Sequence, residues 1–282
     1  DWNPRKKFNL IAGLRFDWFS EAKLSHFSPK LGLMYKLKNC SLRGSYAGGF
    51  RAPTLKEMYM NFYMGNIFMI YGNPDLKPES SHNFSLSAEY MKGRHNVTVT
   101  GFYNIVDDRI TTAWNQALGG QVYTNMSRLQ VAGVDANASG RYPCGVSWRL
   151  SYAYTYEHIR KGEPMLSSTR PHTATARLAY DKDWKHYGLS VALSGRWLSK
   201  VTTDVYTEIT SYEQTERQTY PGYTIWKLSL TQRIWRGVNV TLAVDNLFDY
   251  RPRYYYSNSP STTGTACSVG LSLDMERMFK KK

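Results

Sequence analysis

The stretch GTACSVGLSLDMERMF, residues 264–279, alternates apolar and polar residues with a period of two. The apolar members of one parity are Cys267, Val269, Leu271, Leu273 and Met275, and the residues between them are small or charged. Successive side chains of a β-strand point to opposite faces, so this pattern predicts a strand with one apolar and one polar face. Phe279 ends the apolar set with an aromatic ring, as is typical where a strand meets a membrane interface.

The same alternation recurs along the chain with no helical pattern between the repeats. In a central segment the residues of one parity are Trp148, Leu150, Tyr152, Tyr154 and Tyr156. Patterning of this kind predicts an all-β fold. We predict twelve strands, at residues 8–19, 27–37, 40–49, 81–92, 95–114, 121–142, 145–157, 172–182, 185–198, 222–234, 237–248 and 264–279.

The connections between the predicted strands alternate between short and long. Tight turns fall at 38–39, 92–94, 143–144, 183–184 and 236–237, whereas longer links run over 50–80, 115–120, 158–171, 199–221 and 249–263. Turns on one rim and loops on the other are typical of an antiparallel up-and-down transmembrane β-barrel of the bacterial outer membrane. The sequence contains no run of eighteen apolar residues, so it predicts no transmembrane helix.

Composition agrees with a membrane barrel and argues against nucleic-acid binding. Aromatic residues make up 15% of the 282 residues, with 22 Tyr and 8 Trp, and such rings collect at the two interfaces of a membrane barrel. The formal net charge is +14, which suits a nucleic acid, an anionic lipid or an anionic solute. No zinc-finger spacing or basic stripe favours a nucleic-acid partner. Arginines at the membrane boundary are expected to meet outer-membrane lipid and the phosphates of lipopolysaccharide.

The sequence contains no pattern that predicts catalysis or a resident metal. Cys40, Cys144 and Cys267 form no CxxC pair, and the six histidines show no metal-ligand spacing. Neither a nucleophile elbow nor a glycine-rich phosphate loop is present. We therefore predict no catalytic residue, no metal site and no cofactor, and we expect the protein not to be an enzyme.

Four short segments carry a family resemblance. GFRAPTLKEMY at residues 49–59 and GNPDLKPE at residues 72–79 bracket the first long loop. RPH at 170–172 precedes a predicted strand, and NLFD at 246–249 closes the penultimate one. Together these segments, which span most of the chain, resemble the C-terminal half of a TonB-dependent outer-membrane receptor.

The resemblance implies an architecture and a function. Members of that family form plugged barrels of roughly 22 strands, so residues 1–282 are expected to be a C-terminal portion, with the plug domain and about ten N-terminal strands absent from this chain. The family takes up large, scarce nutrients with high affinity. The implied partners are the inner-membrane TonB energy-transducing complex, acting through the plug region, and a surface lipoprotein.

Within the family, the paired boxes are most similar to those of haem and cobalamin receptors. Haem receptors usually carry a histidine between the two boxes as an iron ligand, and residues 54–72 contain none. The Tyr and Met side chains of this interval can ligate haem iron or pack against a corrin. The transported ligand is therefore left open among haem, cobalamin and another metal chelate such as an iron-siderophore.

Eight residues in the long loops are the predicted ligand contacts: Arg51, Met58, Tyr59, Tyr63, Tyr71, Asn73, Tyr254 and Tyr255. Loops that carry exposed aromatic residues usually serve recognition. The alternatives are that Arg51 orders its loop by pairing with Glu57, that the loop aromatics form a small core of their own, and that the second tyrosine loop belongs to the outer girdle.

Two other classes of function fit the same pattern. A passive porin or a surface-binding barrel needs only a lumen and loops, and it is the alternative to active uptake. A barrel enzyme would need inward-facing Ser, His and carboxylate partners, for which the sequence offers no visible arrangement.

Overall fold

Among the seventeen strands of the described residues, thirteen pair antiparallel in sequence order and form a single wall. The structure is a computed structural model that describes residues 2–5, 7–19, 24–65, 68–159, 169–185, 187–206, 215–235, 237–254, 262 and 264–275. The strands are β1 (Trp2–Arg5), β2 (Phe8–Phe19), β3 (Leu24–Lys36), β4 (Cys40–Arg51), β5 (Phe62–Met64), β6 (Phe68–Tyr71), β7 (Glu79–Lys92), β8 (His95–Asn115), β9 (Gly120–Arg141), β10 (Val146–Ile159), β11 (His172–Asp183), β12 (Gly188–Leu198), β13 (Val201–Tyr206), β14 (Thr215–Tyr220), β15 (Tyr223–Trp235), β16 (Val238–Asp245) and β17 (Ala266–Leu273).

Twelve of these strands, each eight residues or longer within the described residues, coincide with the twelve predicted strands. The order along the wall is β1-β2-β3-β4-β7-β8-β9-β10-β11-β12-β15-β16-β17, so the up-and-down topology is confirmed. The last strand ends at Leu273, earlier than predicted. The predicted interface position of Phe279 lies outside the described residues.

The long links contain short elements that the periodicity did not predict. The helix α1 (Leu55–Tyr59), a 3-10 turn (Gln116–Leu118) and the pair β5–β6 lie in or beside the first long loop, and β13 pairs with β14 in another. The expectation that no helical segment separates the strands is therefore wrong at residues 55–59. Among the described residues, no helix has the length and apolarity that crossing a membrane requires.

The wall has one apolar face and one polar face. On the apolar face Leu193 lies opposite Leu178 on one side and Leu228 on the other. On the polar face the hydroxyls of Ser45 and Ser85 are 2.7 Å apart across β4 and β7. The apolar side chains are not covered by protein, as Leu86 is 69% exposed. A continuous uncovered apolar face is the surface that a barrel presents to hydrocarbon.

Small residues face large rings on the apolar face and fix the register of the strands. Gly195 lies opposite Trp226, and a Cβ at that glycine would be 2.5 Å from the indole ring. Ala174 likewise lies opposite Trp197. A slip of one residue would turn every side chain of a strand to the other face, so the two faces and these close contacts specify the same pairing.

The two rims differ, as predicted. One carries tight turns in which Gly93 and Gly237 adopt positive φ values of 59° and 73°, a conformation that favours glycine. The other carries the long links. β8 and β9 contain 21 and 22 residues, whereas a strand needs only about 9–11 residues to cross a bilayer. Their distal halves therefore extend beyond the membrane on the loop side.

The wall is not closed within the described residues. β17 pairs only with β16, and at the opposite edge β1 pairs only with β2. Each edge strand thus presents one row of backbone groups without a partner strand.

Charge on the apolar face should destabilise the barrel. We expect Leu86→Arg in the full-length protein to lower the free energy of unfolding by about 2–4 kcal/mol, because a charged side chain near the bilayer midplane must leave water. Urea unfolding in phosphatidylcholine vesicles measures the change. Ser85→Arg, one residue along on the polar face and opposite Ser45, is the matched control and should change the free energy of unfolding by less than about 1 kcal/mol. Equal effects of the two substitutions would contradict the assignment of the faces.

Candidate ligand-binding rim

Arg51 joins the first long loop to the wall. It is the last residue of β4 and lies opposite Glu79, the first residue of β7. Its Nε and Nη2 donate to the two carboxylate oxygens of Glu79 at 2.9 and 2.8 Å, and Nη1 donates to both oxygens of Glu57 at 2.9 and 3.0 Å. Forked contacts of this kind fix the relative orientation of the groups as well as attract them.

Glu57 also takes part in capping the helix of the loop. Thr54 is the N-cap of α1, and its amide and hydroxyl donate to Glu57 Oε2 at 2.8 and 2.9 Å in a capping box. Burial alone would raise the pKa of the Glu57 carboxyl. The hydrogen bonds from Thr54 and Arg51 outweigh burial and hold the pKa below its ordinary value.

Glu79 links Arg51 to a third strand. Its Oε1 accepts a 2.6 Å hydrogen bond from the backbone amide of Ile110 in β8. The Arg51 hydrogen bond is the main reason that the pKa of the Glu79 carboxyl lies below its ordinary value, and the Ile110 amide contributes to the same shift. Both carboxylates are therefore ionised at neutral pH, and the cluster ties β4, α1, β7 and β8 together.

The second sequence box closes the same loop. Asn73 donates from its backbone amide to the Glu57 carbonyl at 2.9 Å and from Nδ2 to the Tyr123 carbonyl of β9 at 2.9 Å. Asn125 in β9 accepts from the Lys77 amide and donates to the Lys77 carbonyl, both at 2.8 Å. The two boxes thus meet each other and rest on the β8–β9 hairpin.

The middle of the loop is attached to that hairpin as well. β6 pairs in parallel with β9 through Ile70 and Tyr71, and Ile70 is buried. The hydroxyl of Tyr71 donates to the Leu118 carbonyl at the tip of the hairpin, at 3.2 Å. Gly72 packs against the backbone of Met58, where a Cβ would lie 2.8 Å from the carbonyl. These contacts hold the loop as a folded unit.

The far end of this loop presents a group of uncovered apolar side chains, which we call the loop tip. Tyr59 and Tyr63 are 62% and 67% exposed, and Leu55, Met60 and Met64 are exposed beside them. Aromatic and thioether side chains on a rigid support can contact a large flat or apolar ligand at a small cost in conformational entropy.

The structure divides the predicted ligand contacts into two groups. Tyr59 and Tyr63 are free to meet a ligand, whereas Arg51, Tyr71 and Asn73 make the internal contacts described above. Met58 is half-buried and its amide donates to the Thr54 carbonyl at 3.0 Å. That any of these residues touches a ligand stays a prediction. The alternative that Arg51 orders its loop by pairing with Glu57 is confirmed.

Arg170 organises the remaining long links. Its side chain is buried, and Nη1 donates to the carbonyls of Ser199 and Pro221 at 2.6 and 2.8 Å. Nη2 donates to the hydroxyl of Tyr254 at 3.3 Å, and the guanidinium lies 4.9 Å from the ring centroid of Tyr223. The links at 158–171, 199–221 and 249–263 therefore converge on one cation, which we call the Arg170 hub.

Tyrosine rings surround the Arg170 hub. Tyr250 stacks on Tyr223 with centroids 5.1 Å apart, and Tyr220 packs against Tyr254 at 5.3 Å. Burial, together with the hydrogen bond to Tyr254, raises the pKa of Tyr250 to about 12. Tyr254 thus has a structural contact that competes with its predicted role in binding. Tyr255 lies outside the described residues.

The NLFD segment shapes the last long link. Asn246 and Asp249 both have a φ of 52°, and Asn246 exchanges hydrogen bonds with the backbone of Tyr250. Asp249 accepts from the Thr265 amide at 2.9 Å at the start of the last strand. The segment is therefore a turn whose side chains pair with the backbone, not a ligand site.

Sequence reasoning did not single out several residues on which the rim depends. Glu79, Asn125 and Arg170 make side-chain contacts over 28 or more positions in the sequence. Arg170 lies in the RPH segment and Glu79 lies in the GNPDLKPE segment, so membership of these segments could have identified both residues. Asn125 gave no such signal, because it lies near the start of the predicted strand at 121–142 and outside every quoted box.

A two-faced strand wall with turns on one rim and folded loops on the other defines an outer-membrane β-barrel. The family model described as "TonB dependent receptor-like, beta-barrel" matches residues 1–247. The chain therefore belongs to the TonB-dependent receptor family, which resides in the bacterial outer membrane and comprises receptors, not enzymes.

The individual proteins that the chain resembles share only 20–28% sequence identity with it. The chain is 28% identical over 279 residues to the iron-regulated outer membrane virulence protein of Vibrio cholerae serotype O1, covering 90% of this chain and 40% of that protein. Its structure resembles the siderophore receptor PirA from Acinetobacter baumannii, with a TM-score of 0.73 and 20% identity over 96% of this chain and 44% of that one. The FrpB iron transporter from Neisseria meningitidis gives a TM-score of 0.74 and 20% identity, with 95% and 43% covered.

These matches are evidence for the fold and do not identify the ligand. The chain spans about two fifths of the length of the Vibrio cholerae relative. At identities near 20%, the similar structures show the fold alone.

Loss of the Arg51 cluster should release the first long loop. We expect Arg51→Met in the full-length receptor to accelerate amide exchange at Ile110 and throughout residues 52–78, because Glu57 and Glu79 would then repel each other without a cation between them. Hydrogen–deuterium exchange measures the effect. Arg51→Lys keeps the charge without the forked geometry and should give an intermediate rate. Unchanged exchange in Arg51→Met would show that the cluster does not hold the loop.

The tyrosines of the Arg170 hub should separate at high pH. The pKa of Tyr250 is raised to about 12, so its contribution to stability is complete below the ordinary tyrosine pKa of about 10 and is lost as pH rises toward 12. We expect protease sensitivity in the link at 249–263 to increase across this window. In Tyr250→Phe the pH dependence should weaken, leaving the part due to Tyr223, whose pKa burial also raises, and a dependence equal to the parent's would exclude Tyr250 as the titrating group.

Proposed function

We propose that this chain is part of the barrel wall of a TonB-dependent transporter that captures a large, scarce nutrient at the cell surface. The observation that carries the proposal is the loop tip: uncovered Tyr59 and Tyr63 on a loop that Arg51 and Asn73 hold at both ends. A rigid loop that presents aromatic rings loses little conformational entropy on binding. Such preorganisation suits a ligand that is dilute outside the cell.

The open edges of the wall support the proposed domain arrangement. Strand edges cannot stay unpaired in hydrocarbon, where no water satisfies the backbone groups. We infer that residues 1–282 form a C-terminal portion of a larger barrel, in which further strands close the wall between β17 and β1. A plug domain, outside this chain, would then fill the lumen.

The cargo we propose is an iron chelate. The Vibrio cholerae relative is named as iron-regulated, and the similar structures are named as siderophore receptors and an iron transporter. Haem and cobalamin, which the paired sequence boxes favour, remain predictions, as the iron chelate does. The loop between the boxes contains no histidine, so a haem cargo would have to be held by its flat face or through Tyr or Met.

Family membership suggests which partners supply energy and which meet the protein at the cell surface. We propose that the inner-membrane TonB complex acts on the plug, because the chain belongs to the TonB-dependent receptor family. Lipopolysaccharide would surround the loop-side end of the wall, and a surface lipoprotein could deliver the cargo. A passive porin is the alternative, and it differs by showing an open pore.

The loop tip should determine cargo affinity. We expect the double substitution Tyr59→Ala and Tyr63→Ala in the full-length receptor to weaken binding of one of three probes, ferric enterobactin, haem or cyanocobalamin, by roughly tenfold or more, since truncating buried aromatic contacts typically costs over 1 kcal/mol each. Fluorescence quenching measures affinity for each probe. Tyr156→Ala, on the lipid-facing side of β10, is the matched control and should bind as the parent does.

Uptake and conductance test the class of function. Uptake of the probe that binds should stop when the TonB complex is deleted, and the purified receptor should carry little steady current in a planar bilayer. Uptake that continues without TonB, together with a stable open-channel current, would establish the porin alternative. If the double variant bound the probe with full affinity, the loop tip would be excluded as the binding site, but the proposal of active transport would not be contradicted.

A further inference from the structure

The apolar face of the wall contains a groove of about 340 Å³ toward the rim that carries the tight turns. Its floor is made of small residues, because Ala138 in β9, Ala176 in β11 and Gly195 in β12 lie in one row of the strand register. Larger side chains border this floor: Leu150, Tyr152, Trp197 and Trp226. We call this recess the small-residue groove.

A polar notch adjoins the groove on its turn side. Gly140, two residues along β9 from the groove floor, lies between His95 in β8 and Trp148 in β10. A Cβ at Gly140 would meet His95 Nδ1 and would lie 2.6 Å from Trp148 Nε1, so the two ring nitrogens converge over this glycine. Neither nitrogen has a hydrogen-bond partner within the described part of the chain. Both are therefore available to a ligand.

Three cations lie beside the notch. Lys92 is the register partner of His95. The backbone carbonyl of Arg94 accepts from the amide of Arg141, the residue after Gly140, at 3.3 Å. The side chains of Lys92, Arg94 and Arg141 are exposed, and none of them makes an ion pair with another described residue. The notch thus combines neutral donors with uncompensated positive charge.

The positive charge extends along the whole turn rim. Five more exposed cations there have no ion-pair partner in the described ranges: Lys7, Lys36, Lys38, Lys182 and Lys185. On the loop side, by contrast, Arg51, Arg128 and Arg251 bind carboxylates at 2.8, 2.6 and 3.1 Å. The turn rim therefore presents a surplus of positive charge that suits an anionic surface.

We propose that the small-residue groove and its notch form a binding site for one anionic phospholipid of the periplasmic leaflet, such as phosphatidylglycerol. An acyl chain lies in the groove, which faces hydrocarbon. The phosphate oxygens accept hydrogen bonds from Trp148 Nε1 and His95 Nδ1. Lys92 and Arg94 supply charge-assisted contacts to the same phosphate.

The relative position of the parts favours a lipid over other anions. The notch lies nearer to the turns than the groove floor, so the polar donors reach the interface while the groove stays in hydrocarbon. Strands in a membrane barrel are tilted by about 35–45°, so a groove across them is also inclined to the membrane plane, as an acyl chain requires. A soluble anion would leave the groove empty, and an acidic protein would not enter a recess within the bilayer. The site uses the lipid-facing side alone and is independent of the cargo and of what fills the lumen.

Native mass spectrometry of the full-length receptor tests the site with three probes. One phosphatidylglycerol should remain bound per receptor. Phosphatidylcholine with the same acyl chains should bind roughly tenfold more weakly, because it carries no net charge for the cations to attract. Glycerophosphoglycerol, the same headgroup without acyl chains, should not compete. Competition by this soluble headgroup would show an anion site and overturn the proposal of a lipid site.

Two substitutions test the groove and the notch separately. Ala176→Leu fills the groove, and Trp148→Phe keeps a ring but removes the indole N–H. Each should lower the affinity for phosphatidylglycerol roughly fivefold or more. Ala88→Leu adds the same bulk on the apolar face of β7, outside the groove, and should bind as the parent does. Compact migration of each unheated variant on a denaturing gel verifies that its barrel is folded.

A matched pair of double variants tests the charge. Lys92→Gln with Arg94→Gln should reduce the affinity for phosphatidylglycerol to that for phosphatidylcholine, whereas Lys7→Gln with Lys36→Gln removes the same charge elsewhere on the rim and should change little. Equal losses in the two double variants would attribute binding to the rim as a whole and overturn the site. Affinity that is unchanged in both Ala176→Leu and Trp148→Phe would overturn it as well.

Discussion

The structure depends on one constraint: a backbone amide or carbonyl in hydrocarbon must find its hydrogen-bond partner within the protein. Antiparallel pairing of neighbours in sequence satisfies that demand for every strand except the two at the edges. Once the strands pair, their side chains sort by parity, and the apolar set faces lipid while the polar set faces inward. The alternation of the sequence, the register of Gly195 against Trp226 and the uncovered leucines are all consequences of the same requirement.

Above the bilayer the constraint is relaxed, and a different chemistry holds the chain. Water can satisfy backbone groups there, so loops persist as folded units only where side chains fasten them. Arg51 does this with two carboxylates, and Arg170 does it with carbonyls and tyrosine rings. The long β8–β9 hairpin supplies the rigid support on which the first loop rests. The fastened loops and the wall that faces lipid are therefore separate parts of the same chain.

The sequence was sufficient to predict the wall and insufficient to predict the rim. Period-two patterning located all twelve strands because burial in lipid affects every second residue over a long stretch. The helix at residues 55–59 is too short to show a helical period, although Thr54 and Glu57 form a readable capping box. The β13–β14 pair lies outside the two-faced wall, so its alternation carries no lipid signal. The roles of Asn73 and Tyr71 depend on the β8–β9 hairpin, some fifty positions away, which local patterning cannot report.

The manner in which Arg170 holds three links has an evolutionary consequence. Two of its strongest contacts are with main-chain oxygens, those of Ser199 and Pro221, and a peptide carbonyl is the same whatever residue bears it. Mutations can therefore change the side chains of these links without disturbing the frame that positions them, and if the links contact cargo, such mutations would change the preference for one molecule over another. A single buried guanidinium would thus let new specificities arise without a new scaffold.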